Sequence, residues 1–142
     1  MDQDLKKARD LLLSSDHTCV LCRGDQMYTS RERGVKPLLT FLDSGTDLSG
    51  FAAADKVVGR GAAFLYCLLG VRSIYAGIVS SAAMEVLTQA GIAVSAEKTV
   101  ERIQNRAGDG LCPMESATMS CKTPTEALSA IRRTLKALQE AM

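Results

Sequence analysis

The sequence predicts an α/β domain of three layers (α/β/α), in which helices cover both faces of a mixed β-sheet. Residues 17–30 hold two β-branched and apolar stretches around the turn sequence RGD, which indicates a β-hairpin. Residues 71–79 and 92–97 are short apolar stretches that alternate with helix-like segments, as in parallel βα units. A hairpin that leads into such units gives a mixed sheet.

The helices are predicted from apolar residues at helical spacing and from residues that begin and end helices. Residues 47–55 are expected to form a loop, with Asp55 capping a buried helix that begins near Lys56. The last helix is expected to be capped by Thr123. The predicted helices cover residues 2–14, 35–45, 56–70, 82–91, 112–119 and 124–142.

The composition limits the classes of function. The length of 142 residues fits a single domain over residues 1–142, and a hydrophobic content of 46% supplies an ordinary core. A net charge of +1 favours neither a nucleic acid polymer nor a membrane surface as a partner. Aromatic residues make up only 4% of the chain and Trp is absent, so few side chains could stack on bases.

The cysteines predict a reduced, cytoplasmic protein. Their number is odd, and the charged start MDQDLKKARDLL has no apolar leader segment. Cys19 and Cys22 have the spacing of metal and redox motifs, but positions three apart in a strand face opposite sides, so packing is favoured. Cys67 is expected in the core. The five cysteines are Cys19, Cys22, Cys67, Cys112 and Cys121.

Two stretches, VVGRGAAFLYCLLGVRSIYAGIVSSAAMEVLTQAGI (57–92) and CPME (112–115), resemble a prokaryotic family of unknown function with the cytidine deaminase-like fold. The resemblance covers about residues 15–135. It implies a cytidine deaminase-like mixed sheet, built around a helix–strand–helix–strand unit.

Zinc deaminases carry H-x-E at the start of one helix and P-C-x-x-C at the start of the next. The resemblance places these motifs near residues 57–60, which read VVGR, and 80–84, which read SSAAM. Zinc needs three protein ligands of nitrogen or sulfur type, and neither stretch contains one. We therefore expect no metal, no cofactor and no deamination.

The resemblance also implies that two helix N-termini point at one pocket. Free N–H groups at helix starts suit anions. Lys56, Gly59 and Arg60 on one side, with Ser80 and Ser81 on the other, would then hold a small anionic or nucleotide-like ligand. The alternative is that the serines only cap a helix and that the cations are solvated.

The sequence CPME is read as the start of a short helix. Cys112 would be the N-cap and Pro113 the first helical residue, while Glu115 would accept a hydrogen bond from the Cys112 N–H. Cysteine is a weak cap, and a helix N-terminus favours a thiolate, so Cys112 is a candidate nucleophile or redox thiol, with Glu115 beside it. The alternative is a buried thiol that closes the pocket.

The leading hypothesis is a deaminase-like domain without zinc that binds a small anionic or nucleotide-like ligand. The alternative hypothesis is a zinc-independent enzyme that uses Cys112. A homodimer is expected by analogy with deaminase-like folds alone.

Overall fold

The computed structural model describes residues 2–104, 110 and 112–140, which form a five-stranded sheet and six helices. The elements in chain order are α1 (Gln3–Ser14), β1 (Cys19–Arg23), β2 (Gln26–Ser30), α2 (Lys36–Ser44), β3 (Ala52–Val58), α3 (Arg60–Leu69), β4 (Ser73–Ser80), α4 (Ser81–Gln89), β5 (Ala93–Val100), α5 (Pro113–Thr118) and α6 (Pro124–Glu140).

The sheet is mixed, with strand order β2-β1-β3-β4-β5. Strand β1 is antiparallel to both of its neighbours, while β3, β4 and β5 run parallel. The tight turn between β1 and β2 is made by Gly24, whose φ of 59° favours glycine. The predicted α/β class, the mixed sheet and the hairpin are confirmed.

Helices lie on both faces of the sheet. Helix α1 packs on one face through Leu5, Ala8 and Leu12, which contact apolar side chains of β1, β3 and β4. The other face carries the larger core, to which α2, α3, α4 and α6 contribute. Among the described helices, none combines the length and the hydropathy that a membrane span requires.

The strand β3 differs from the prediction. Residues Ala52–Val58 are extended, whereas the sequence predicted a loop followed by a helix from Lys56. Helix α3 begins only at Arg60, after Gly59 at its N-cap, and Asp55 lies inside the strand rather than at a cap. The alanines in the first half of this strand have low β propensity, so only Val57 and Val58 carry a local strand signal. Backbone pairing with β1 on one side and β4 on the other makes it a strand.

The pairing of β3 with β4 needs a glycine. A Cβ atom at Gly77 would lie 2.7 Å from the carbonyl oxygen of Lys56, which is backbone and cannot move aside. Two alanines of β3, Ala52 and Ala54, pack on the α1 side, while Ala53 faces the larger core. The central strands therefore have small side chains where neighbouring elements approach closely.

The helix caps agree with the local sequence. The Ser80 hydroxyl accepts a hydrogen bond from the N–H of Ala83 at 3.1 Å. The Thr123 hydroxyl accepts from the Glu126 N–H at 3.2 Å, as expected of a cap, and donates to the Glu126 carboxylate at 3.2 Å. The predictions that Ser80 or Ser81 caps α4 and that Thr123 caps α6 are confirmed.

Candidate functional site

A cavity of about 610 Å³ opens at the carboxyl end of β3. It lies between the start of β1, the segment 31–35, the first turn of α3 and the start of α5. Its apolar wall includes Val35, Ile103 and Met114. A cavity of this volume is in the range that proteins use to enclose small organic molecules.

The lining of the cavity includes a buried acid. Asp55 is 8% exposed, and its Oδ2 accepts a hydrogen bond of 2.6 Å from the Tyr66 hydroxyl. The thiol of Cys19 lies 3.4 Å from the same hydroxyl. The other oxygen, Oδ1, receives a longer bond of 3.4 Å from the Val57 N–H, and the backbone N–H of Lys56 also interacts weakly with the carboxyl group.

Burial sets the protonation of these groups. It raises the pKa of Asp55 to about 6, although the hydrogen bond from Tyr66 acts in the opposite direction. Burial, with the charge of Asp55 as the next cause, also raises the pKa of the Cys19 thiol. The raised pKa of Cys19 favours its neutral thiol form, which is the less reactive form.

A second buried acid, Glu115, joins the starts of α3 and α4. Its Oε1 accepts hydrogen bonds from the Arg60 N–H at 2.8 Å and from the Ser80 hydroxyl at 3.2 Å. Its Oε2 accepts a bond of 2.6 Å from the Ile103 N–H. The side chain is 2% exposed. The two helix starts are therefore adjacent, and a carboxylate of the protein itself occupies the position that favours an anion.

The local geometry of CPME agrees with the prediction in part. Helix α5 begins at Pro113 with Cys112 at its N-cap, as expected. The expected bond from the Cys112 N–H to Glu115 is wrong, because that N–H donates to the Ile103 carbonyl at 2.9 Å. The carboxylate turns inward instead, where three donors satisfy it. Cys112 is half-buried and lines the large cavity.

The predicted ligand-binding residues separate into two groups. Lys56 and Gly59 line the large cavity, whereas Arg60, Ser80 and Ser81 are not among its lining residues. Ser81 donates to the Val100 carbonyl at 3.3 Å. The binding role of this set stays a prediction, but the five residues do not all line one cavity.

The side chain of Arg60 faces away from the large cavity. Its Nε donates to the Thr118 carbonyl at 2.8 Å and its Nη2 donates to the Cys121 carbonyl at 2.6 Å. The guanidinium also lies 5.0 Å from the centre of the Phe64 ring. The carbonyl groups at the end of α5 attract the cation, so Arg60 links α3 to the chain that follows α5.

The residues at the two helix starts do not fit the zinc ion that zinc deaminases bind. Positions 57–60 and 80–84 supply no histidine or cysteine, and the oxygens of Glu115 accept from N–H and O–H donors. Over residues 2–104, 110 and 112–140, no group of three metal-ligating side chains lies close enough to hold an ion.

The C-x-x-C pair lies on both sides of the sheet. Cys19 belongs to the larger core and Cys22 packs against α1, which confirms that the two thiols face opposite ways. Cys67, expected in the core, is only half-buried on α3. All five cysteines are free.

Sequence reasoning missed the buried pair of Asp55 and Tyr66. It also missed Arg31 and Arg33 at the mouth of the cavity. The signal that could have found Asp55 is an acid inside the apolar run FAAADKVV, because acids are rarely buried without a partner. The signal indicates a buried acid only if this run is recognised as a strand.

The cavity and the sheet define an α/β/α domain with a pocket of small-molecule size. The family model of TM1506, a domain of unknown function (DUF1893), matches residues 7–135, and the chain belongs to this family. The resemblance to a family of unknown function is confirmed.

Two solved structures are similar to this chain. The DUF1893 family protein TM1506 from Thermotoga maritima is 21% identical, with 94% of this chain and 91% of that chain covered and a TM-score of 0.85. The dCMP deaminase from the cyanophage S-TIM5, in its apo form, is 13% identical, with 70% and 100% covered and a TM-score of 0.44. No curated protein matches the chain.

Replacing Glu115 tests its role as a link between elements. In Glu115→Ala the N–H groups of Arg60 and Ile103 lose their acceptor inside the protein. We expect the free energy of unfolding to fall by about 3 kcal/mol, because buried donors are left without partners. Urea denaturation measures this change. The matched control is Glu101→Ala at an exposed position, and equal stability of the two variants would contradict the role.

The raised pKa of Asp55 predicts a pH dependence of stability. Its pKa of about 6 lies above the ordinary value of 3.8, so the stability it contributes is present at low pH and is lost as pH rises through about 6. Relative to Asp55→Asn, the wild type should lose about 2–3 kcal/mol between about pH 4 and about pH 7. Urea denaturation at both pH values measures the difference.

The control for this measurement is Asp43→Asn. The hydrogen bond from Arg132 lowers the pKa of the exposed Asp43, so its contribution has the opposite sign and is lost as pH falls. A wild type and an Asp55→Asn variant that change in parallel with pH would show that Asp55 is not a buried acid with a raised pKa.

Proposed function

We propose that this domain binds a small anionic molecule in the large cavity, through cationic side chains at its mouth. The observation that carries the proposal is a cavity of about 610 Å³ whose lining includes three cations, Lys56, Arg31 and Arg33. Its apolar wall suits the organic body of a ligand, and the cations suit a phosphate or carboxylate group. A nucleotide-like molecule has both parts.

The cations at the mouth are suited to bind an anion. Lys56 and Arg33 are exposed, and neither forms an ion pair with a carboxylate of the residues that the structure describes. Arg31 pairs with Asp16 at 2.8 Å, but both side chains are largely exposed, and such surface pairs are weak. A ligand anion would compete there with Asp16 and Glu32, the two carboxylates that line the same part of the cavity.

The starts of α3 and α4 are less suited to bind an external anion. The carboxylate of Glu115 already accepts the Arg60 N–H and the Ser80 hydroxyl. A ligand anion there would have to displace a buried carboxylate of the same charge. This is why we place the ligand at the mouth of the large cavity, beside Lys56, rather than between the two helix starts.

Binding should depend on the charges at the mouth. We expect a nucleoside monophosphate to bind more tightly than the nucleoside without its phosphate, and Lys56→Ala with Arg33→Ala to weaken binding of the monophosphate about tenfold or more. Isothermal titration calorimetry at two salt concentrations measures both effects. Lys136→Ala, at an exposed position on α6, is the matched control.

Two outcomes of this titration contradict the proposal. One is an unchanged affinity of the double variant for the monophosphate. The other is a loss of binding in Arg60→Lys with Ser81→Ala while the double variant still binds, which would place the ligand at the helix starts. The control variant should retain the affinity and the salt dependence of the wild type.

A second candidate function uses the thiol of Cys112. The specific observation is that Cys112 lines the same cavity as Lys56 and is half-buried there. The thiol could therefore contact a bound molecule as a nucleophile or as a redox group. Glu115, named beside Cys112 from the sequence, has both oxygens hydrogen-bonded, and its catalytic role stays a prediction.

Alkylation tests this second function. If Cys112 is activated, it should react with iodoacetamide faster than an ordinary free thiol at neutral pH, because the thiolate is the attacking form. Mass spectrometry of the digested protein reports the rate at each cysteine, with Cys67 as the internal comparison and Cys112→Ser as the control. A rate no higher than that of a free thiol would contradict the second function.

The homodimer expected by analogy stays a prediction. Light scattering of the purified chain measures its mass in solution and separates a monomer from a dimer.

A further inference from the structure

We propose that Asp55, a buried acid in the lining of the large cavity, binds an amidinium-type or amino group of the ligand. The ligand would then carry a nitrogen donor at one end and an anion at the other. This inference rests on the proposed binding function, because it concerns the same cavity.

The carboxylate of Asp55 has fewer partners than its burial requires. A carboxylate offers about four acceptor positions, and buried charges in proteins are normally paired or fully hydrogen-bonded. Asp55 receives one short bond from Tyr66, a bond of 3.4 Å from the Val57 N–H and a weaker interaction with the backbone N–H of Lys56. None of the ion pairs among the described residues includes Asp55. Its Oδ1 therefore has acceptor capacity left beside the cavity that the residue lines.

Glu115, the other buried acid in the lining, has more hydrogen-bond partners than Asp55. Both acids are buried and both line the cavity, but Glu115 accepts three bonds of 2.6–3.2 Å from protein donors. Of the other acids in the lining, Asp16 pairs with Arg31 and Glu32 is exposed at the mouth. Asp55 is thus the acid that a group inside the cavity would meet.

The Tyr66 hydroxyl positions the carboxylate. It donates to Oδ2 at 2.6 Å, and the Cys19 thiol lies 3.4 Å from it on the other side. The bond to Oδ2 thereby fixes the orientation of the carboxylate. A planar amidinium matches a fixed carboxylate with two parallel N–H bonds, which is why we prefer this class to a hydroxyl donor. The cations Lys56 and Arg33 line the same cavity and suit the opposite end of such a ligand.

Four small probes test the contributions of the anion and of the amidinium separately. Benzoate carries only the anion, benzamidine carries only the cation, and para-amidinobenzoate carries both. Benzamide has the shape of benzamidine without its charge. Calorimetry or NMR titration of the full chain with each probe gives the affinities, and Asp43→Asn serves as the matched control for Asp55→Asn.

We expect para-amidinobenzoate to bind the wild type about tenfold or more tightly than benzoate, and benzamidine to bind more tightly than benzamide. Asp55→Asn should abolish both preferences and Asp43→Asn should retain them. Tyr66→Phe keeps the carboxylate but removes the group that positions it, so the preferences should shrink without vanishing. Circular dichroism measures whether each variant is folded, and Tyr66→Phe provides the test if Asp55→Asn does not fold.

The inference is overturned if para-amidinobenzoate and benzoate bind the wild type equally, or if Asp55→Asn keeps the preference for the amidine. These outcomes differ from a failure of the proposed function. If the proposed function alone fails, the affinity for benzamidine would still depend on Asp55. Lys56→Ala with Arg33→Ala would then leave the affinity for benzoate unchanged.

Discussion

The buried carboxylate of Glu115 holds together the end of the sheet on which the candidate site depends. One of its oxygens joins the starts of α3 and α4, and the other joins the chain after β5. A carboxylate that accepts hydrogen bonds beside helix N-termini is stabilised both by the donors and by their dipoles. Because Glu115 lies in the first turn of α5, the same bonds fix α5 as a wall of the large cavity, with Cys112 and Met114 facing it.

The two buried acids differ in the number of protein hydrogen-bond donors that surround them. Glu115 is surrounded by protein donors and acts as an internal substitute for an anion at the helix starts. Asp55 lies in a wall of the same cavity with one short bond, from Tyr66, and burial raises its pKa to about 6. Residues of similar chemistry therefore differ in availability to a ligand, and the difference comes from neighbours that are distant in sequence.

Elements with local signals were predictable from the sequence. The hairpin, the strand at 71–79 and the capped helix α6 each have turn, apolar or capping residues that act over a few positions. The first half of strand β3 has none, since FAAAD is a poor strand sequence, and β3 exists because β1 and β4 pair with it on both sides. Because β3 was not predicted, Asp55 was interpreted as a helix cap and not as a buried acid. For the same reason Lys56 and Arg60 were assigned to one helix start, although their side chains lie in different places.

The sequence by itself determined the α/β class, a cap at Ser80 or Ser81, the cap at Thr123, the start of α5 at Pro113 and the absence of zinc ligands at 57–60 and 80–84. These depend on residue identity and on contacts within a few positions. Only the tertiary structure decided where the acids point and which cations share a cavity. Those properties follow from hydrogen bonds across large separations, such as that of Glu115 with Arg60, which no local pattern encodes.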